Sequence, residues 1–254
     1  DMHLSAVNSI NWARIAAQVP YYVYAALALG APDREVSFAV PTGNFGNVLA
    51  AWVARRMGLP IRALCVGSNR NDILSRFLNE NDMSIHGVVP SLSPSMDIQV
   101  SSNFERLLFE LLDRDAAACA RIMTEFRKTG VMKVATPVWD RANALFHGIS
   151  LDDEATLAEI RTLNSRSHYL ADPHTAIGIA AGRTFREAGI PMVAMATAHP
   201  AKFPDAMAQA TGIRPALPVA LADLYDRPER YSVVEADLTM VEDKVRAAVL
   251  SNAN

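Results

Sequence analysis

The sequence predicts an α/β fold: an open, mostly parallel sheet flanked by helices. Three observations carry that reading. Val36–Val40 is a β-prone run that enters a Gly/Asn turn and then a helix-forming run. Ile61–Val66 follows that helix, so residues 36–66 make a β-loop-α-β unit whose crossover is long enough to be parallel and right-handed. Pro191–Ala196 is continuously apolar, as expected of a strand buried on both faces.

The elements follow in order. Residues 8–30 read as a helix, with Ile10, Trp12, Ile15, Val19, Tyr22, Val23, Ala26 and Leu27 near helical spacing. Pro20 falls inside that run and predicts a kink or a break into two helices. After strand 35–40 comes helix 47–57, stopped by Gly58 and Pro60, then strand 61–66 and a short helix over 72–79. Residues 81–102 lack periodicity and are rich in Ser, Pro, Asn and Met; so long a loop in a compact domain is functional or disordered. Helices are expected over 104–112 and 116–128, while 130–150 carries no decisive pattern. Residues 157–167 and 172–187 read as helices, the second with Asp172 as N-cap and Pro173 in its first turn. Helices over 204–211 and 239–250 complete the chain. One α/β domain over 1–254 is expected, with 81–170 a mainly helical insertion containing the irregular loop.

Composition narrows the function classes. The 254 residues are half apolar and one-fifth charged, with a net charge of −3. Lys and Arg are scattered, without the basic stripe that nucleic acid or a membrane surface would require. Two cysteines, Cys65 and Cys119, fit buried free thiols in a reducing cytosol. No apolar run reaches membrane-spanning length, and a cytoplasmic location is expected. His168 and His174 lack metal-ligand spacing with each other or with cysteine, and His3, His86 and His147 are isolated, so no metal site is expected. Among the histidines only His199, two residues after Thr197, reads as a neighbour of a site; the others read as structural.

In open parallel sheets ligands sit beyond the carboxyl ends of the strands, which nominates Pro41–Asn47, Gly67–Asn71 and Thr197–Phe203. The first of these is the most informative. A strand, a tight glycine loop and a helix start aim backbone N–H groups and the positive end of a helix dipole at one spot, which suits a phosphate. Gly43 and Gly46 do not complete a Gly-x-Gly-x-x-Gly pattern, and no acidic residue ends the second strand to grip a ribose. No Gly-Lys-Ser/Thr follows either. The expected ligand is therefore a small phosphate ester or a cofactor held by its monophosphate, with a plain turn as the alternative. Asn44 and Asn47 favour the ligand, because asparagine tolerates positive φ and offers an amide to an oxyanion.

Thr42-Gly43-Asn44-Phe45-Gly46-Asn47 resembles the pyridoxal-phosphate loop of the threonine synthases, fold-type II enzymes with a tryptophan synthase β-like large domain. Further stretches agree in family order: residues 8–14 (Asn-Ser-Ile-Asn-Trp-Ala-Arg), 101–106 (Ser-Ser-Asn-Phe-Glu-Arg), 172–176 (Asp-Pro-His-Thr-Ala) and 196–203 (Ala-Thr-Ala-His-Pro-Ala-Lys-Phe). The resemblance implies conversion of O-phospho-L-homoserine and water to L-threonine and phosphate, the last step of threonine biosynthesis. It implies pyridoxal 5′-phosphate as cofactor, its phosphate held by Gly43, Asn44, Phe45, Gly46 and Asn47, and Thr197 as the hydroxyl at the pyridine nitrogen.

Asn11 and Arg14 share a helix face, as do Asn103 and Arg106; each pair could meet the substrate phosphate or carboxylate, or serve an interdomain salt bridge. The four lysines are Lys128, Lys133, Lys202 and Lys244, and only Lys202 is near the expected pocket. None lies in the Phe-Lys-Asp context of the family's Schiff-base lysine, so no catalytic residue is expected in this chain. It reads as the C-terminal portion of the enzyme, inactive without its N-terminal part. The alternatives are another fold-type II lyase, such as a Ser/Thr dehydratase or a phospholyase paralogue, and a non-catalytic module that binds pyridoxal phosphate or another phosphate.

Overall fold

The computed structural model describes residues 5–251; His3 lies outside them. Two compact units are present, residues 7–215 and a smaller one that includes 216–251. In the larger unit β1 (Val36–Pro41), β2 (Ile61–Ser68), β3 (Phe146–Ser150) and β4 (Met192–Ala194) form a sheet in the order β3-β2-β1-β4. Every pairing in it is parallel.

The alternation along β1 decides how the faces are covered. Val36, Phe38 and Val40 point into the main core, packed by α1 (Trp12–Ala28), α2 (Gly46–Arg56), α3 (Ile73–Glu80), α4 (Phe104–Leu111), α5 (Ala116–Thr129) and α6 (Thr136–Asn143). The opposite face carries small residues, Ala39 on β1 and Ala63 and Cys65 on β2, clustered with Ala181 of α8 (Pro173–Thr184). That smallness lets α8 approach the sheet closely. A Cβ on Gly178 would stand 2.8 Å from Pro41 Cδ, so only glycine fits there. α7 (Asp153–Ser167) and α9 (Pro204–Thr211) pack behind α8 around Leu157, Ile160, Ala176 and Met207. The result sets the N-terminal turn of α8 beside the carboxyl end of β1.

In α1, Ile15, Val19, Tyr22 and Ala26 recur at helical spacing on the buried face. Of the kink or break expected at Pro20, the break is absent: α1 is one helix of 17 residues. Pro20 and Ala16, whose carbonyl loses its i+4 partner, are both exposed, on the solvent side of the helix. β4 also differs from expectation. It is the sheet edge beyond β1 and is half-buried, because among the described residues only β1 pairs with it.

Residues 130–150 resolve into α6 and β3, the latter pairing with β2 from Leu64↔Phe146 to Ser68↔Ser150. The segment 81–170 thus supplies helices and one edge of the sheet. Its irregular loop is held by polar contacts: Asn69 Nδ2 and Asn71 Nδ2 donate to Asp97 Oδ1 at 2.7 and 3.0 Å, and Ser91 Oγ does so at 2.6 Å.

The smaller unit has two short 3-10 turns, Val219–Leu221 and Leu224–Asp226, and α10 (Leu238–Ser251). Among the described residues no helix is long and apolar enough to cross a membrane.

Candidate functional site

β1 ends at Pro41, and the chain turns through 42–45 into α2. Thr42 is buried; its N–H donates to Gly67 O at 2.8 Å and its hydroxyl to Val40 O at 2.8 Å, which fixes the exit from the strand. Phe45, the N-cap of α2, adopts a left-handed backbone with φ of 61°. A phenylalanine is rarely found there, and burial holds it: its ring meets Phe104 and Phe146, each with centroids 5.6 Å away.

No side chain caps α2, and Leu49 N–H to Phe45 O, at 3.0 Å, is its first helical bond. The N–H groups of Gly46, Asn47 and Val48 precede that bond and remain for a ligand or water. Two glycines bring neighbouring chain close around them. A Cβ on Gly43 would stand 2.8 Å from Ser95 O, and one on Gly46 2.9 Å from Ser9 Cβ.

These features line a cleft of about 270 Å³. Its other walls include Ser9 just ahead of α1, Arg14 and Gln18 of α1, Ser95 and Met96, His174, and Thr197, Ala198, Lys202 and Phe203. Two of the nominated loops therefore meet here. Gly67–Asn71 does not line the cleft; Asn69 and Asn71 hold the loop that carries Ser95 and Met96. Two polar atoms, Gln18 Oε1 and His174 Nε2, are buried without a hydrogen-bond partner. Among the described residues no group of three or more metal-ligating side chains is assembled.

Residues 175–245 match the family model described as the C-terminal part of threonine synthase. The chain is 50% identical to the threonine synthase of Pseudomonas aeruginosa over 99% of its own length and 53% of that protein's. A threonine synthase from Brucella melitensis, solved with pyridoxal phosphate bound, superposes with a TM-score of 0.91 at 50% identity. That match covers 96% of this chain and 53% of the other. Yeast threonine synthase superposes with a TM-score of 0.86 at 34% identity, over 98% of this chain and 54% of its own. Over nearly its whole length the chain is similar to threonine synthases. It spans about half the length of the relatives it matches.

Against the threonine synthase expectation, Gly43, Asn44, Phe45, Gly46, Asn47 and Thr197 all line one cleft. Asn47 is tied inward: the Tyr22 hydroxyl donates to its Oδ1 at 2.7 Å and to its carbonyl at 3.0 Å. Burial keeps the Tyr22 hydroxyl protonated by pushing its pKa up. Arg14 lies on the rim, its guanidinium donating to Val7 O at 3.1 Å.

Asn11, Asn103 and Arg106 do not line the cleft. Asn11 caps α1, accepting from Ala13 N–H at 3.0 Å. Asn103 is fully buried and donates to Asn44 O and Ser9 Oγ, both at 2.8 Å. Arg106 donates to Asn103 Oδ1 at 2.6 Å, Ser9 O at 3.1 Å and Ile10 O at 2.7 Å. Both residues clamp the glycine turn to the start of α1, across about 60 and 95 residues of sequence.

Sequence reasoning missed His174, Gln18 and the Ser95–Met96 segment. His199, favoured instead, is exposed and its Nδ1 accepts from Ala201 N–H at 3.2 Å to cap a short turn. The available signal for His174 was the Asp172-x-His174 spacing. Asp172 Oδ1 accepts from the His174 backbone N–H and pairs with its Nδ1, each at 2.9 Å. The Thr175 hydroxyl donates to Asp172 Oδ2 and in turn receives Thr197 N–H at 3.2 Å. A single buried carboxylate thus orients both His174 and the loop that bears Thr197.

Proposed function

We propose that this chain forms the cofactor-phosphate half of a fold-type II, pyridoxal-phosphate-dependent threonine synthase acting in the cytoplasm. That enzyme converts O-phospho-L-homoserine and water to L-threonine and phosphate. The observation that carries the reading is the cup at residues 43–47, with an uncapped helix start behind two glycines whose Cβ positions are blocked. Such a cup excludes side chains and leaves N–H donors facing an anion.

In this reading the N–H groups at 43–47 bind the cofactor phosphate and fix the ring's position. Thr197 offers a hydroxyl to the pyridine nitrogen, and a neutral partner leaves that nitrogen largely unprotonated. When bound, the cofactor supplies an electron sink for the carbanion chemistry. Arg14, on the rim, suits the substrate's phosphate or carboxylate, because its fork pairs two oxygens. Lys202 lines the cleft with its ammonium 5.8 Å from the Phe203 ring centroid and adds positive charge to the same entrance. The cofactor-attaching lysine belongs to the N-terminal part of the enzyme, which is the partner this chain requires.

Joining the chain to the N-terminal half of the Pseudomonas aeruginosa relative tests the assignment. Threonine and phosphate are expected in equal amounts from phosphohomoserine, and no turnover from the 254-residue chain alone. A joined enzyme that binds the cofactor yet releases phosphate without threonine would overturn it.

A further inference from the structure

The proposed function gives no role to His174, although its placement calls for one. The residue is 5% exposed and lines the cleft, with its ring 5.0 Å from that of Phe203. Nδ1 lies 2.9 Å from Asp172 Oδ1. That carboxylate is itself fully buried, and its described donors are the His174 backbone N–H, the His174 ring and the Thr175 hydroxyl. An acceptor-only carboxylate obliges Nδ1 to carry a proton, which fixes the tautomer. The other ring nitrogen, Nε2, is then the free valence of the pair, and it is buried without a partner. A polar atom left so is costly, and a ligand atom in the cleft would remove that cost.

We infer that His174 is an anion-contacting positioning residue: on binding, it takes up a proton at Nε2 and donates it in a hydrogen bond to a phosphate monoester oxygen in the cleft. The inference rests on the cleft being a phosphate site, as in the proposed function. The charged groups around the ring set its balance. Asp172 favours the imidazolium, whereas Arg14, Lys202 and the N-terminus of α8 disfavour it. A bound phosphate adds negative charge on the Nε2 side of the ring, opposite Asp172. The proton comes from solvent, and no covalent bond changes. Asp172 acts through His174 and, through Thr175, on Thr197, so anion contact and the loop bearing Thr197 share one support.

The test follows the His174 ring nitrogens by NMR in the full 254-residue chain. The probes are inorganic phosphate and 4-deoxypyridoxine 5′-phosphate, which lacks the aldehyde and cannot react with lysines. Nε2 is expected to pass from unprotonated to protonated as either probe saturates, while Nδ1 stays protonated. A response to 4-deoxypyridoxine 5′-phosphate identifies the cofactor's phosphate as the partner. A response only to inorganic phosphate added on top identifies the substrate's.

His174→Asn places an amide donor at the Nδ1 position and removes Nε2. It is expected to weaken phosphate-probe affinity about 10- to 100-fold, and to abolish the part of the pH dependence in which wild-type affinity falls above the histidine range. If the pyridoxine probe binds and Nε2 changes neither with it nor with inorganic phosphate added on top, the inference fails and the proposed function stands. If inorganic phosphate protonates Nε2 but the pyridoxine probe does not bind, the inference stands and the proposed function fails. If neither probe binds, both fail.

Discussion

Gly43→Ala probes the cup with one methyl group. Gly43 has an ordinary negative-φ backbone, so alanine is permitted there and restricts the unfolded chain, a gain of about 0.4–1 kcal/mol. Against this, the new Cβ would stand 2.8 Å from Ser95 O and 3.1 Å from Met96 Cα, both backbone atoms that no rotamer change can move aside. Inserting a methyl into such packing costs about 1–3 kcal/mol. The net is a destabilisation centred on about 1.3 kcal/mol, or roughly 3–5 °C in Tm for a unit of this size. Relief requires the 94–96 segment to back away, which widens the cleft and weakens its hold on 4-deoxypyridoxine 5′-phosphate. Thermal unfolding and calorimetric titration read the two effects. An alanine variant as stable as wild type, with unchanged affinity, would refute the packing account of the cup.

Other perturbations follow from single contacts. Tyr22→Phe removes a hydroxyl that donates to both oxygens of Asn47, and should lower stability by about 1–2 kcal/mol in denaturant titration. Burial pushes the Cys65 thiol up to about 12, with Glu187 adding to the shift, and burial also raises Cys119. Neither should react with a thiol reagent at pH 8 until the protein unfolds, as mass spectrometry of the labelled chain will read. Burial lowers the pKa of His147, which sits beside Phe185, with Arg62 adding to the shift and Glu187 opposing it. Stability should therefore be full above the ordinary histidine pKa of about 6.5 and decline as the pH falls from there towards the folded value. The decline should be smaller in His147→Gln.

What the sequence made legible was local. Val36–Val40, the glycine turn and the apolar run after it specify strand, cup and helix within about twenty consecutive residues, and the structure keeps that order. β3 escaped because Phe146–Ser150 is short and interrupted by His147 and Gly148, and only pairing with β2 makes it a strand. The far walls of the cleft escaped for the same reason. Ser95 and Met96 are held there by Asn69, Asn71 and Asp97, and His174 arrives because Ala39, Ala63, Cys65 and Gly178 let α8 close on the sheet. From residue type and a shared helix face, Arg106 and Asn103 read as ligands of a substrate anion or as members of an interdomain salt bridge. Their partners are backbone and side-chain oxygens of residues 9, 10 and 44, which no local pattern announces.

The central claim is that residues 43–47 hold a cofactor's monophosphate. Backbone amide shifts recorded while the chain is titrated with 4-deoxypyridoxine 5′-phosphate test it most directly, with unphosphorylated 4-deoxypyridoxine as the control. The account predicts large shifts at Gly43–Asn47 and Thr197, saturating together, with the control at least a hundredfold weaker, as loss of several charge-assisted N–H contacts worth about 1.5–3 kcal/mol each requires. Shifts that spare the glycine turn, or equal binding of both compounds, would contradict it.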